Sequence, residues 1–478
     1  MAHGHYLVSG RPQAIMVHVN VGLANAAMGV INAASDNIPL VMMSGRTPLT
    51  EHDRPGGRVS QIQYGQEMYD QTSLVRDAAK FSYEMRYAEQ GAGLANRAVT
   101  LAMAEPRGPA YLSLPREPLM EAFQDTYRYP PAIQAVPSPA PPNMDAIDQA
   151  VDLLNQAKSP LVICQRGDVD GRLGAALTQL GLPVISPFVV RNVMASTNGF
   201  RGYDLSLVQD ADVILVVDSS VPWIEKFYDG KNATVITLGP DPLFQKTPIR
   251  SFRSDISITC DPAMGVAALV GRVKARDLPP LQTPDIADTS PMSADWLSKC
   301  VSDILGDGVV FSELGVSPGA MTFAGPNQLF NAPHSGGLGW GMPAALGAQL
   351  HDRDRLVVAA VGDGSYMFAN PVACHQIAEA LDLPILTIIK NNGIWNAVRR
   401  SVVGAYPDGE AVKSNQMPLT SLQPSPDFAA IAGASRGYAE RVEEGADLPA
   451  ALERALHAVR VEKRQALLDV RVAAGDGF

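Results

Sequence analysis

The chain has 478 residues, more than one hydrophobic core usually supports, and this length predicts about two to four domains. Hydrophobic residues make up 46% of the chain and charged residues 18%, a balance typical of globular proteins. The formal net charge of −11 disfavours a nucleic-acid partner and an anionic membrane surface, although small anions can still bind locally.

Apolar runs alternate with alanine-rich stretches along the whole chain. Continuous apolar runs are typical of strands that are buried on both faces, and helices between such strands indicate parallel sheets. The predicted strands begin at Ala14, Ile38 and Pro109, then at Leu161, Asp212 and Thr234, and finally at Val309, Leu356, Pro384 and Leu467.

Two proline-rich stretches, 129–143 and 277–291, separate these strands into three blocks. Both stretches contain too much proline for the interior of a helix or sheet and are suited to linkers. The predicted domains are therefore 1–128, 144–276 and 292–478. We predict an α/β protein with three doubly wound parallel-sheet domains.

The four cysteines lie far apart and show no CxxC spacing, which predicts neither a disulfide framework nor a zinc site. A reducing cytoplasm is the simplest interpretation. The chain shows no apolar run of about 18 residues. It also shows no secretion-signal pattern. We therefore predict a cytoplasmic location and no membrane span.

Polar residues end two predicted strands of the third block. Asp363 ends LVVAAVGD and Asn392 ends PILTIIKNN, while a predicted helix with Asn370 as its N-cap makes the two strands neighbours. Ligands of parallel sheets bind at the carboxyl ends of strands. Carboxylate and amide oxygens suit Mg²⁺, and Gly364 and Ser365 can offer backbone N–H groups to a diphosphate. The pattern predicts a metal-bridged diphosphate site.

The spacing of GDG and NN resembles the cofactor motif of thiamine diphosphate (ThDP) enzymes of the acetolactate synthase and benzoylformate decarboxylase group. GGLGWGMPAALG, at 336–347, and HVNVGLANAAMGVINAASDNIPLVMMSG, in the first block, are similar to further segments of that group. The resemblance covers essentially the whole chain and is weakest in the middle block. It implies an enzyme that uses ThDP and Mg²⁺ to cleave or form a carbon–carbon bond of a 2-oxo acid.

The resemblance also implies roles for individual residues. Asp363, Asn392 and the backbone carbonyl of Ile394 would ligate Mg²⁺, and Leu338 would hold the cofactor in a bent shape. Because the family binds ThDP between the first domain of one subunit and the third of another, a homodimer or homotetramer is expected. The implied catalytic residues are His18, Asn20 and Leu338. The implied cofactor-binding residues are Gly22, Gly336, Gly337, Leu338, Gly362, Gly364, Ser365, Ser312 and Ile394.

Several of these residues have an ordinary structural alternative. His18 could be a strand-end histidine bonded to backbone, and Gly22 could serve a tight turn. Ser312, in SELGVS after a strand, belongs either to a second diphosphate loop or to a helix cap. No FAD is predicted, because LVICQRG, from Leu161, offers one glycine where a glycine-rich turn is needed. The sequence leaves open whether the middle domain binds an ADP-containing group such as coenzyme A.

One part of the family pattern is absent. The resemblance places the glutamate that activates the pyrimidine ring just before Met1. We therefore expect either a truncated start or a ThDP-binding protein that is inactive for lack of this glutamate. Two further alternatives are a 2-hydroxyacyl-CoA lyase and a nucleotide-binding α/β protein without thiamine.

Overall fold

The computed structural model describes residues 1–122, 134–197, 199–279, 281, 284–414 and 416–474. Parts of the two predicted linkers, 129–133 with 280, 282 and 283, lie outside the described residues. The chain forms two compact units. The N-terminal unit comprises 2–140 with 333–337, and the C-terminal unit comprises 141–332 and 338–478 with Met1. The domain boundaries given above stay predictions.

The N-terminal unit contains a four-stranded parallel sheet in the order β1-β2-β4-β3. Its core joins β2 and β4 to one helix through Val41, Ala98, Ala102, Ala110 and Leu112. The strands are β1 Gln13–Val17, β2 Leu40–Arg46, β3 Phe81–Glu84 and β4 Ala110–Pro115. The helices are α1 Ala2–Ser9, α2 Val19–Ser35, α3 Ile62–Gly65, α4 Gly91–Met103 and α5 Arg116–Met120.

The first sheet of the C-terminal unit has five parallel strands in the order β6-β5-β7-β8-β9. Along β5, Val162 and Cys164 join one apolar cluster while Leu161 and Ile163 join another, as expected of a strand buried on both faces. The strands are β5 Pro160–Cys164, β6 Val184–Ile185, β7 Val213–Val217, β8 Thr234–Gly239 and β9 Ile256–Thr259. The helices are α6 Met144–Gln156, α7 Arg172–Leu180, α8 Leu207–Asp210 and α9 Pro262–Leu269.

The second sheet of the C-terminal unit has six parallel strands in the order β11-β10-β12-β13-β15-β14. The strands are β10 Val309–Glu313, β11 Leu329–Asn331, β12 Val357–Gly362, β13 Leu386–Asn391, β14 Tyr438–Val442 and β15 Ala466–Arg471. The helices are α10 Ala294–Leu305, α11 Gly341–His351, α12 Asp363–Phe368, α13 Pro371–Ala380, α14 Asn396–Ala405, α15 Glu410–Lys413, α16 Phe428–Gly433 and α17 Leu448–Arg460. Three parallel sheets with helices confirm the predicted fold class. Within the described ranges, no helix is long and apolar enough to cross a membrane.

A buried chain of hydrogen bonds ties α12 and α13 to the start of β15. The Tyr366 hydroxyl lies 2.7 Å from His375 Nε2, and His375 Nδ1 lies 2.7 Å from Gln465 Oε1. Gln465 Nε2 donates to the carbonyls of His375 and Ser435, so its Oε1 must accept. His375 therefore carries its proton on Nδ1 and accepts from Tyr366. Burial lowers the pKa of His375, which is thus held neutral in the fold.

Acidification should destabilise the protein partly through His375. Because its pKa is lower in the fold than in the unfolded chain, its contribution is fully present above about pH 6.5 and is lost as the pH falls toward the folded pKa. Melting temperatures of the natural protein and of His375→Gln, measured from pH 7.5 downward, should therefore converge on acidification. The two proteins differ only at position 375. A constant difference between the two melting temperatures would contradict this expectation.

Candidate functional site

Asp363 is the first residue of α12, directly after β12, and only 4% of it is exposed. Its Oδ1 accepts the Gly364 N–H at 2.9 Å, and its Oδ2 accepts the Gly393 N–H at 2.7 Å. Gly393 lies between Asn392 and Ile394 in the chain. The second contact therefore brings the carboxylate against residues 391–393, which we call the NNG loop. Strands β12 and β13 are adjacent, as predicted.

The crossover between these strands contains two helices, α12 and α13, where the sequence predicted one. Asn370 separates them with a φ of +53°, a left-handed conformation that asparagine adopts more readily than most residues. The helix after it begins at Pro371, as predicted. Asn370 occupies the N-cap position, as predicted, but its side chain makes no capping hydrogen bond.

The two asparagines after β13 have different surroundings. Asn391 is fully buried, donates to Asp469 Oδ1 at 2.7 Å and accepts from Arg471 Nη1 at 2.7 Å. Asn392 is half-buried, and its Oδ1 accepts the Ile394 N–H at 3.1 Å. Asn391 is thus held by structural partners, whereas the Asn392 oxygen has a lone pair available for a ligand.

The carboxylate of Asp363 is buried without an ion pair among the described residues. Burial raises its pKa, while the N–H donors of Gly364 and Gly393 oppose that rise. A cation bound at its free lone pairs would stabilise a buried carboxylate in this state. No cluster of three His, Cys, Asp or Glu side chains in the described ranges could hold a metal ion. A single carboxylate with amide and carbonyl oxygens is a different donor set.

Glu313, at the end of β10, anchors the backbone at the start of α11. It is fully buried; Oε1 accepts the Gly339 N–H, and Oε2 accepts the N–H groups of Trp340 and Gly341, each at 2.7 Å. Burial raises the pKa of Glu313, and these donors act in the opposite direction. Glu313 therefore caps the start of α11, and the role of Ser312 in SELGVS stays a prediction.

Four predicted residues of the C-terminal unit lie close to these groups in the chain. Ser312 is buried, and its hydroxyl accepts the Val316 N–H at 3.4 Å. Gly362 is the residue before α12. Ser365 is buried, and its hydroxyl acts to lower the pKa of Glu313. Half-buried Leu338 immediately precedes the segment that Glu313 holds.

Gly364 lies under the indole ring of Trp395. A Cβ at this position would overlap the ring, so packing requires glycine here. The indole also contacts Phe368 edge-on, with ring centroids 5.8 Å apart. The structure thus places Trp395 against the first turn of α12.

In the N-terminal unit, the three predicted residues follow β1. His18 precedes α2, and Val19 has a φ of +31°, which is rare for a β-branched residue and marks local strain. Asn20 Oδ1 is buried with no hydrogen-bond partner among the described residues. Gly22 lies within α2 rather than in a tight turn, and a Cβ there would be 2.9 Å from Val17 Cβ.

Asn32, which the sequence analysis missed, holds the segment containing Gly336 and Gly337. Its Nδ2 donates to the Gly337 carbonyl at 3.0 Å, and its Oδ1 accepts from the Ser335 hydroxyl at 2.7 Å. Asn32 is 4% exposed. These two bonds hold the residues on either side of Gly336, one of the predicted cofactor-binding residues.

Two family matches cover both ends of the chain. The C-terminal TPP binding domain of thiamine pyrophosphate enzymes matches residues 315–470, and the N-terminal TPP binding domain matches residues 1–74. The chain therefore contains both TPP binding domains of the thiamine pyrophosphate enzymes. The matched ranges of this family include His18, Asp363 and Asn392, whereas Ser312 lies outside them.

Curated relatives within the thiamine pyrophosphate enzymes carry several names. A probable 2-ketoarginine decarboxylase of Pseudomonas aeruginosa is 25% identical, covering 99% of this chain and 85% of the relative. A benzoylformate decarboxylase of the same organism is 26% identical, covering 96% of this chain and 88% of the relative. The acetolactate synthase isozyme 3 large subunit of Escherichia coli is 24% identical, covering 99% and 86%. The similarity therefore extends over nearly the whole chain.

A solved structure of a thiamine pyrophosphate enzyme shares the fold. The 4-hydroxybenzoylformate decarboxylase of Rhodococcus jostii RHA1 superposes with a TM-score of 0.80 at 24% sequence identity. The match covers 99% of this chain and 90% of that chain. The complete three-sheet architecture is therefore that of a thiamine pyrophosphate enzyme.

Proposed function

We propose that the protein is a ThDP- and Mg²⁺-dependent enzyme that cleaves or forms a carbon–carbon bond next to the carbonyl of a 2-oxo acid. The observation that carries this proposal is the buried Asp363 carboxylate in contact with the NNG loop. The names of the relatives, two decarboxylases and an acetolactate synthase, support the reaction class.

The residues near Asp363 fit a magnesium ion. Asp363 offers a carboxylate without an ion pair among the described residues, and Asn392 offers an amide oxygen. The Ile394 carbonyl accepts one N–H, from Asn396 at 2.9 Å, and keeps a second lone pair. Mg²⁺ prefers such oxygen ligands and completes its shell with water and phosphate oxygens. These three residues would hold the metal.

Other predicted residues would hold ThDP itself. Gly362, Gly364 and Ser365 start α12 beside Asp363, where backbone N–H groups can bind a diphosphate. The carbonyl of Gly336 would accept from the pyrimidine amino group. The unpartnered oxygen of Asn20 is a further acceptor in the N-terminal unit. Gly22, Gly337 and Ser312 would complete the set of cofactor-binding residues.

Bound ThDP supplies the electron sink for carbon–carbon bond chemistry. The residues of the chain would hold the cofactor in one position and one conformation. Leu338 would impose the bent cofactor shape, and its backbone is restrained because Glu313 holds the three residues that follow it. Such preorganisation contributes to rate by limiting motion of the reacting groups. His18 would face the substrate.

We also propose a homodimer or homotetramer with shared active sites in the cytoplasm. Helix α2 carries exposed apolar side chains at Val21, Met28 and Ile31, which favour self-association. The four cysteines are buried and unpaired, which suits a reducing compartment.

Calorimetric titration with ThDP, with and without Mg²⁺, tests the cofactor. Release of CO₂ from pyruvate and benzoylformate, and cleavage of a 2-hydroxyacyl-CoA, test the reaction. We expect Mg²⁺-dependent ThDP binding and turnover of a 2-oxo acid. Turnover of the CoA thioester alone would identify a 2-hydroxyacyl-CoA lyase instead. Binding without turnover would identify an inactive ThDP-binding protein, and absence of ThDP binding would refute the proposal.

A further inference from the structure

A cavity of about 330 Å³ lies within the N-terminal unit, at the carboxyl edge of its sheet. Its walls are formed by residues at or just after the ends of β1, β2 and β4 and by α3. The apolar part of the wall includes Pro48, Ile62, Leu114 and Leu119, and the polar part includes His18 and Arg116. The volume is at the small end of ligand pockets, which suits a compact acid rather than a coenzyme A thioester.

A second arginine of the cavity wall, Arg46, is already neutralised. Its Nη1 lies 2.6 Å from Glu84 Oε2, and its Nη2 lies 3.0 Å from Glu67 Oε1. Arg58 also pairs with Glu67. These two arginines and two glutamates form a network with no net charge. Arg46 therefore adds little to the attraction of an anion.

Arg116 is different because its guanidinium has no hydrogen bond or ion pair among the described residues. It is half-buried at the start of α5. The adjacent Glu117 does not line the cavity, and its Oε1 accepts the N–H and hydroxyl of Thr50, both at 2.8 Å. The His18 imidazole likewise has no partner in the described part of the chain. Among the described residues, the cavity thus combines one uncompensated positive charge with a partly apolar wall.

An arginine is poorly suited to the carboxylate that leaves as CO₂. That group loses its charge as the bond breaks, so a fixed cation would stabilise the ground state more than the transition state and slow the reaction. The same arginine is well suited to a carboxylate that keeps its charge throughout, where it can bind in a bidentate manner. The uncompensated charge therefore indicates a second anionic group on the substrate.

We propose, on the basis of the proposed function, that Arg116 is a specificity residue that binds the far carboxylate of a 2-oxo dicarboxylic acid. His18 lines the same cavity, so the reacting end and the far end of one small molecule are recognised within it. The 2-ketoarginine named for one relative carries a cationic far end, which Arg116 would repel. The substrate of this chain would accordingly differ from that compound.

Binding of matched acids tests the proposal independently of turnover. 2-Oxoglutarate and 2-oxopentanoate have the same carbon number and differ in the far carboxylate, and 2-ketoarginine supplies the opposite charge. Calorimetry with the full chain, without added ThDP, measures affinity where no reaction can occur. The variants are Arg116→Gln, Arg116→Lys and the control Arg11→Gln. Arg11 is exposed and precedes β1, at the opposite edge of the sheet.

We expect the natural protein to bind 2-oxoglutarate at least about tenfold more tightly than 2-oxopentanoate, with 2-ketoarginine weakest. Arg116→Gln should weaken 2-oxoglutarate binding by roughly 10- to 100-fold and change 2-oxopentanoate binding by less than about threefold. Arg116→Lys should keep much of the preference for 2-oxoglutarate over 2-oxopentanoate, and Arg11→Gln should keep all of that preference. Equal affinities, no binding, or an unchanged preference in Arg116→Gln would overturn the proposal. Failure of the proposed function would show separately, as absent ThDP binding.

Discussion

Replacement of Asp363 by asparagine should abolish most Mg²⁺-dependent binding of ThDP, with an affinity loss of at least about 100-fold. Asparagine keeps the size of the side chain but removes the only side-chain anion of the proposed metal site. Its amide nitrogen would also face an N–H donor at Gly364 or Gly393, where the carboxylate now accepts. Calorimetric titration of ThDP at fixed Mg²⁺ measures the loss.

Asp469→Asn is a matched control for this experiment. Asp469 is also a buried carboxylate whose pKa is raised by burial, and it accepts from Asn391 at 2.7 Å, the asparagine that is not a proposed ligand. We expect ThDP affinity within about threefold of the natural protein for this variant. If both variants lost affinity equally, the assignment of the metal to Asp363 would be wrong.

Replacement of Glu313 by glutamine should destabilise the C-terminal unit by about 1–3 kcal/mol, because at least one buried N–H donor loses its acceptor. Both carboxylate oxygens of Glu313 accept backbone N–H groups, so either orientation of the amide places an NH₂ group against an N–H donor. The segment after Leu338 would then lose its fixed position. Thermal and urea unfolding measure the change in stability, and ThDP titration measures the effect on the site.

Glu440→Gln provides the comparison for Glu313→Gln. Glu440 is partly exposed on β14 and pairs with Arg454, with Arg454 Nη2 2.5 Å from Glu440 Oε1. A solvent-screened surface pair of this kind contributes little to stability. An unfolding free energy of Glu313→Gln as high as that of Glu440→Gln would show that the buried carboxylate does not anchor the start of α11.

The sequence predicted the interior of the three sheets well and their edges poorly. The ten apolar runs correspond to β1, β2, β4, β5, β7, β8, β10, β12, β13 and β15. The strands without a predicted run, β3, β6, β9, β11 and β14, all stand at sheet edges. An edge strand is exposed along one side and is often short, so it carries no continuous apolar run. Tyr438–Val442, with the adjacent charged residues Glu440 and Arg441, is an example.

The candidate site was predictable where the signal was local. The carboxyl ends of adjacent parallel strands necessarily lie at one sheet edge, so Asp363 and the NNG loop could be brought together from spacing alone. The different surroundings of Asn391 and Asn392 could not be predicted, because they depend on Asp469 and Arg471 from a different strand.

Two anchoring residues depend on contacts that the local pattern does not contain. Asn32 reaches Gly337 across 305 positions of the chain, and Glu313 reaches Gly341 across 28. An acidic residue directly after an apolar strand was the available signal for Glu313. Asn32 lies in an alanine-rich helix and offered no comparable signal.

The indole stacked on Gly364 gives the protein a built-in optical reporter. The chain contains four tryptophans, and Trp395 is the one whose ring covers the first turn after Asp363. Emission from that fluorophore depends on its immediate polarity, so occupancy of the neighbouring loop can be followed by light, without a label or a coupled assay.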